Sequence, residues 1–283
     1  MIDRAWLVLR AAGLMLTFQA AGGALFSALF ARWLARSAPA IRRVALGVSV
    51  AALAVLAAQA LFEPVHLAGD FSGLSDDAML RVFLGSAGAA ALAVRFAGVA
   101  CAALALRGNR AGLALLGILL TVSSFLLTGH TSTHPERRLL APLLLVHLLV
   151  VAFWFGSLWP LRQLTALEAR SDAALALGAF SRVAVWLVPV IALAGAAMGA
   201  LLLPDVAALW APYGLLLLAK IALFALLMGL AALNKLRLTR ELATGAARAP
   251  ARLRGSIVLE YALMCAALAV TAVMTGSYSP TPG

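Results

Sequence analysis

Charge is scarce in this sequence: 12% of its 283 residues are Asp, Glu, Lys or Arg, about half the share a soluble globular domain carries. That little charge cannot cover a water-facing surface, so an ordinary soluble domain is excluded. Cysteine is scarcer still. Cys101 and Cys265 sit in separate apolar stretches and no CxxC pair occurs, so neither a disulfide framework nor a thiolate zinc centre is supported. Both read as small apolar fillers. Also missing are a Walker loop, a GxGxxG ahead of a helix, a nucleophile elbow and an HExxH pair. These absences argue against an ATP-driven pump and a hydrolase, and the expectation is a protein that is not an enzyme.

What abounds is apolar residues, 64% of the chain. They gather into blocks of about twenty, the length that crosses a hydrocarbon core of roughly 30 Å at 1.5 Å per residue. Eight such blocks are expected to span: 11–31, 44–62, 82–106, 111–129, 139–161, 183–204, 211–234 and 256–276. The first is longer than the roughly 7–15 residues of a signal-peptide core, and Arg32, Arg36, Arg42 and Arg43 follow it, so it reads as a retained helix. The expected fold is an all-α integral membrane protein, a bundle of eight transmembrane helices embedded in the lipid bilayer.

The chain has 22 Lys and Arg against 11 Asp and Glu. In a soluble protein that excess would suggest a nucleic-acid partner; here the basic residues sit in short loops, so no nucleic acid is expected. Fifteen of the 22 fall in the loops after odd-numbered spans, whereas the opposite side holds only Arg4, Arg81, Arg137 and Arg138. The positive-inside rule then makes the former loops cytoplasmic and puts both termini outside, in the periplasm.

Pairing spans four apart brings out an internal similarity. Arg43-Val44-Ala45-Leu46 resembles Arg182-Val183-Ala184-Val185, Arg95 sits in span 3 where Lys220 sits in span 7, and Thr128-Gly129-His130 recurs as Thr275-Gly276-Ser277. A tandem duplication would give a first half over 1–134 and a second over 135–283, related by an axis along the membrane normal. Chance similarity in apolar sequence is the other reading.

His66, His130, His134 and His147 all fall on the outer side or in the outer half of the bilayer. His66 lies near Glu63, Asp70, Asp76 and Asp77, and His130 and His134 flank a Thr-Ser-Thr turn. His147 lies eight residues into span 5, about 12 Å deep by helical rise. A polar group at that depth faces a bundle interior or a cavity, either as a metal ligand or as an interhelical hydrogen bond that packs the bundle. Imidazole binds copper, zinc, iron or nickel, and thioether favours Cu(I), so Met198 and Met274 could join a histidine site or be core. Arg95, Lys220 and Glu260 are charges within spans and functional candidates by default; snorkelling of the long basic chains, and pairing of Glu260 with Asn234 and Lys235 at the rim, are the structural readings. Gly195-x-x-x-Gly199 gives room for a close helix, with Pro189 upstream.

The stretch His147-Leu148-Leu149-Val150-Val151-Ala152-Phe153-Trp154-Phe155-Gly156-Ser157-Leu158 resembles the His-(x6)-Trp-x-Gly-x-Leu signature of the copper resistance protein D family, CopD. The resemblance continues through Phe180-Ser181-Arg182, Tyr213-Gly214, Lys220, Asn234 and Glu260, and covers about residues 125–276. It implies a bacterial inner-membrane protein of eight spans for copper homeostasis, moving copper from periplasm to cytoplasm with a CopC-type periplasmic carrier. No carrier domain is fused here, so the carrier would be a separate protein. Under this reading His147 is the copper ligand within the membrane, Trp154 seals the path beneath it, Gly156 opens space for a neighbouring helix, and His66, His130 and His134 collect copper outside. Two other readings stay open: a copper-delivery factor for oxidase assembly that does not transport, and an electron-transfer protein with b-type haem. Haem needs axial ligands at matching depth, which His130 and His147 do not offer.

Overall fold

A computed structural model describes residues 2–108, 110–203 and 205–278, with the side chain of His130 outside the described part. Among these residues the regular elements are all helical. They are α1 (Ile2–Leu29), α2 (Ala38–Ala68), α3 (Asp77–Leu84), α4 (Ala87–Gly108), α5 (Ala111–Ser123), α6 (His130–Thr133), α7 (Arg137–Leu167), α8 (Arg170–Leu202), α9 (Pro212–Leu233), α10 (Thr239–Ala243) and α11 (Ala249–Ser277).

Among the described residues seven helices are long and apolar enough to cross a membrane, where eight spans are expected from the sequence. The block expected as span 4 forms a shorter apolar helix, Ala111–Leu127, because its α-helix gives way to a 3₁₀ turn at Ser124–Leu127 and Gly129, at φ 87°, turns the chain. Span 3 is broken too: Gly85 ends α3, and the Ser86 hydroxyl accepts from the Ala89 N–H at the start of α4. Other helices outrun the expected boundaries. α1 begins at Ile2 and α8 at Arg170, since the flanking arginines are good helix formers and continue the helix past the apolar stretch.

α1 is the hub, packing against α2, α4, α5, α7 and α11. Its run Ala20-Ala21-Gly22-Gly23-Ala24 is buried throughout, and such small residues let backbones approach. The closest approach is to α7. A Cβ on Gly22 would lie 1.9 Å from the Ala152 carbonyl oxygen, and one on Gly156 would lie 2.4 Å from the Gly22 carbonyl carbon and the Gly23 nitrogen. Gln19 spans the crossing, donating from Nε2 to the Gly156 carbonyl at 3.2 Å. α7 in turn packs on α8 and α11, and α11 on α9.

Glu168, between α7 and α8, ties two loops together. Its Oε1 accepts from the Arg36 N–H at 2.8 Å and from the Ser37 N–H and hydroxyl at 2.7 Å each, at the entry to α2. Partial burial pushes this carboxyl up, but the Ser37 and Arg36 hydrogen bonds outweigh it and hold the group below its ordinary value. A depressed carboxylate stabilises above its unfolded value and ceases to do so as pH falls through the folded one. Glu168→Ala is therefore expected to lower the melting temperature at pH 7, with a stability loss of about 1 kcal/mol or less because the site is largely solvated. At a pH below that lowered folded value the difference from wild type should vanish. An equal deficit at both values would mean the loops do not depend on the ionised carboxylate.

Candidate functional site

α7 carries two polar side chains on one stripe, seven residues apart, and each meets a different partner. Toward its Arg137 end, His147 faces α8: a Cβ on Gly195 would stand 3.5 Å from His147 Cε1 and 3.7 Å from Nδ1. Even with that Cβ the contact would be an ordinary one, so the imidazole packs directly on the α8 backbone. The ring also lies at the Ile191 backbone and within electrostatic reach of Lys220 on α9, while Nδ1 is buried with no hydrogen-bond partner. Ile191, Ala194 and Met198 form the buried face of α8 on either side of Gly195. One turn further, Gly199 leaves space for Leu217 of α9. His147 thus lies against Gly195 of α8, the helix whose buried face carries Met198, within electrostatic reach of Lys220 on α9.

Deeper along α7, Trp154 is buried, and its indole N–H bonds to the Glu260 carboxylate on α11. The same carboxylate accepts from the Asn234 amide of α9. Asn234 opens a π turn, Asn234–Leu238, that joins α9 to α10; such turns re-aim side chains within an otherwise regular helix. Phe155 stacks on Tyr261 beside this cluster, with ring centroids 4.8 Å apart. Three separate helices are joined by one 4%-exposed carboxylate, so the pairing of Glu260 with Asn234 read from the sequence is present, with Trp154 as an added donor.

Arg95 does not snorkel. Its Nε donates to the Ser124 hydroxyl at 3.0 Å and its guanidinium lies 3.8 Å over the Phe125 ring. Tyr213-Gly214 packs under the turn before α9, where a Cβ on Gly214 would lie 2.3 Å from the Ala208 carbonyl oxygen.

The other histidines lie apart by partner. His66 on α2 stacks on Trp6 and has Asp3 at 3.4 Å. His134 follows α6 and accepts from the Glu136 N–H at 3.1 Å. The side chain of His130 is outside the described residues. Met274 is buried near the Ser277 end of α11. Among the described residues no three His, Cys, Asp or Glu side chains converge as a metal-holding group.

Gln19, Gln59 and the Arg10–Glu63 neighbourhood are contacts that no motif in the sequence marks. Gln59 donates to the Leu9 carbonyl at 2.7 Å, joining α2 to α1. A glutamine within an apolar block is the signal that could have found the first two, because an amide in lipid needs a partner on another helix.

No curated protein and no solved structure matches the chain. The family match begins beyond α7, leaving His147, Trp154 and Gly156 outside it, and is narrower than the 125–276 resemblance read from motifs. Residues 174–274, which hold most of α8, all of α9 and α10 and nearly all of α11, match the family model described as copper resistance protein D, CopD, and this part of the chain is similar to that family.

Proposed function

We propose that the chain is a copper-homeostasis membrane protein that takes up copper from the side where α7 begins and passes it across the bilayer past His147. The observation that carries this reading is the free Nδ1 of a buried imidazole, set against α8 of the segment that matches the CopD model. An unpartnered imidazole nitrogen inside a bundle is costly unless it is used, and imidazole with thioether from Met198 suits copper. Lys220 beside it is a cation that opposes a bound metal ion. That limits affinity, which suits a site that must release its cargo.

In this reading the short apolar helix Ala111–Leu127 completes eight spans, tilted neighbours and local thinning accommodating its length. The basic loops face the cytoplasm of a bacterial inner membrane and both termini face the periplasm. A separate CopC-type carrier delivers copper to the outer face, where His66, His130, His134 and Met274 are further ligands. The chain carries cargo and catalyses no covalent step.

The test is copper uptake into proteoliposomes. His147→Gln keeps a side chain that can hydrogen-bond but offers a poor copper ligand, and is expected to insert normally with uptake reduced about tenfold or more, at least the effect of losing a hydrogen-bond partner of a ligand. Lys220→Met should bind copper more tightly. Wild-type uptake by His147→Gln, with the protein folded, would leave only a packing role for the imidazole.

A further inference from the structure

α2 packs along α1 but touches α7 only lightly, and a cavity of about 230 Å³ remains where α2 stands off from α1, α7 and α11. Gln19, Gly23 and Ala45 on its floor are buried, whereas Val48, Trp159 and Tyr261 at its rim are half-buried. The cavity therefore opens sideways from the bundle, and its walls are mostly apolar. Its depth follows from the helix ends. Gly23 stands six residues before the end of α1, Ile41 three after the start of α2 and Trp159 eight before the end of α7. These ends meet where Glu168 holds Arg36 and Ser37, so the opening lies in the leaflet next to the basic loops.

A cation without a protein partner stands beside this opening. α7 has 31 residues, about 46 Å of helix against roughly 30 Å of hydrocarbon, so about 8 Å of each end reaches the headgroups. Arg162, five residues before Leu167, falls at that boundary, with Trp159 one turn beneath it. The Arg162 side chain is half-buried, and its Cζ lies 5.1 Å from the Trp159 ring centre. Its Nε has no hydrogen-bond partner, and neither has the Trp159 indole N–H. The ion pairs among the described residues do not involve Arg162, and Glu168, the acid that follows it on the chain, is engaged by Arg36 and Ser37. An unpaired guanidinium and an indole donor at headgroup level, above an apolar slot, match the phosphate, the ester carbonyls and the hydrocarbon of a phospholipid in that order.

We propose that this cavity holds one anionic phospholipid of the leaflet next to the basic loops, with its phosphate at Arg162 and an acyl chain between α2, α7 and α11. Guanidinium N–H groups are strong charge-assisted donors to phosphate, and the Trp159 N–H gains an ester carbonyl as acceptor. The basic loops attract any anionic lipid to this face; the cavity fixes one of them in place and fills the gap between α2 and α7. The site does not involve His147, which lies twelve residues from Trp159 along α7, and stands or falls apart from the copper reading.

Native mass spectrometry of the full purified chain tests this, with phosphatidylglycerol or phosphatidylcholine of the same acyl chains titrated into delipidated protein. One phosphatidylglycerol is expected to bind about fivefold more tightly than phosphatidylcholine, the weight of one basic side chain at an anionic surface. Arg162→Gln should bring the two lipids level, and Arg162→Lys should keep part of the preference. Val48→Phe, which fills the cavity from its rim, should weaken both. Arg43 lines a different depression, with Ala38 and Pro39, so Arg43→Gln should retain the preference. Equal binding of the two lipids by wild type overturns the proposal. So does a loss in Arg43→Gln as large as in Arg162→Gln, which would make the attraction a property of the whole basic face. Undiminished binding by Val48→Phe would overturn it as well, by placing the lipid outside the cavity.

Discussion

Gly156→Val is expected to yield almost no monodisperse protein after detergent extraction, and Gly156→Ala a folded protein with a clearly lower melting temperature. A Cβ at Gly156 would meet backbone atoms of Gly22 and Gly23 at 2.4 to 2.5 Å. No rotamer change can relieve a clash with main chain, so α1 and α7 must separate. Overpacking of this kind costs about 1–3 kcal/mol for a methylene, and valine adds two methyl groups to the same gap. Separation also breaks the Gln19 bond to the Gly156 carbonyl. The effect spreads because α1 is the helix on which α2, α4, α5 and α11 also pack. Fluorescence-detected gel filtration with a thermal ramp would show it. A valine variant that melted like wild type would mean that the two helices do not cross at these glycines.

That crossing was partly legible in the sequence. Gly156 is marked by its motif as an opening for a neighbour, but nothing in the motif says that the neighbour is α1. Hydropathy locates helices that cross lipid and is blind to which of them are interior, because lipid tails and a bundle core are equally apolar. The numbers run opposite to soluble intuition. α1 has a mean hydropathy of 1.4 and 67% of its window buried, whereas α8 and the helix beginning at Pro212 have 2.2 and 2.5 with 11% and 6% buried. The least apolar long helix is the innermost, since Thr17, Gln19 and the glycines of α1 are tolerated only where other helices shield them. Read that way, Gln19 and Gln59 would have pointed to the hub.

Charges told more. Arg95, Lys220 and Glu260 stand out in apolar blocks, and each lies against a specific group: Ser124 and Phe125, His147, and the Trp154 and Asn234 pair. What sequence could not supply is which helices face one another across these contacts. The break at Gly85-Ser86 and the short α5 were hidden for another reason, since apolar residues continue through both and only capping and turn geometry end the helices there.

Loss of the Glu260 carboxylate is expected to be the most damaging change within the segment that matches the CopD model. Glu260→Ala leaves the Trp154 indole N–H and the Asn234 amide without their acceptor in a region closed to water, and each orphaned donor costs about 1–3 kcal/mol. Glu260→Gln retains an oxygen that can accept from both, so its melting temperature should lie between alanine and wild type. Because the three side chains come from α7, α9 and α11, their energies should not add. In a cycle of Trp154→Phe and Glu260→Ala the double variant should be less destabilised than the sum of the singles, by about 0.6–1.7 kcal/mol on the scale of interhelical bonds in membranes. Strict additivity would show that no bond links them. Copper uptake separates support from transport: if Glu260→Gln regains stability but not uptake, the carboxylate itself serves the path, and if it regains both, Glu260 acts only by fastening α9 and α11 to the helix that carries His147.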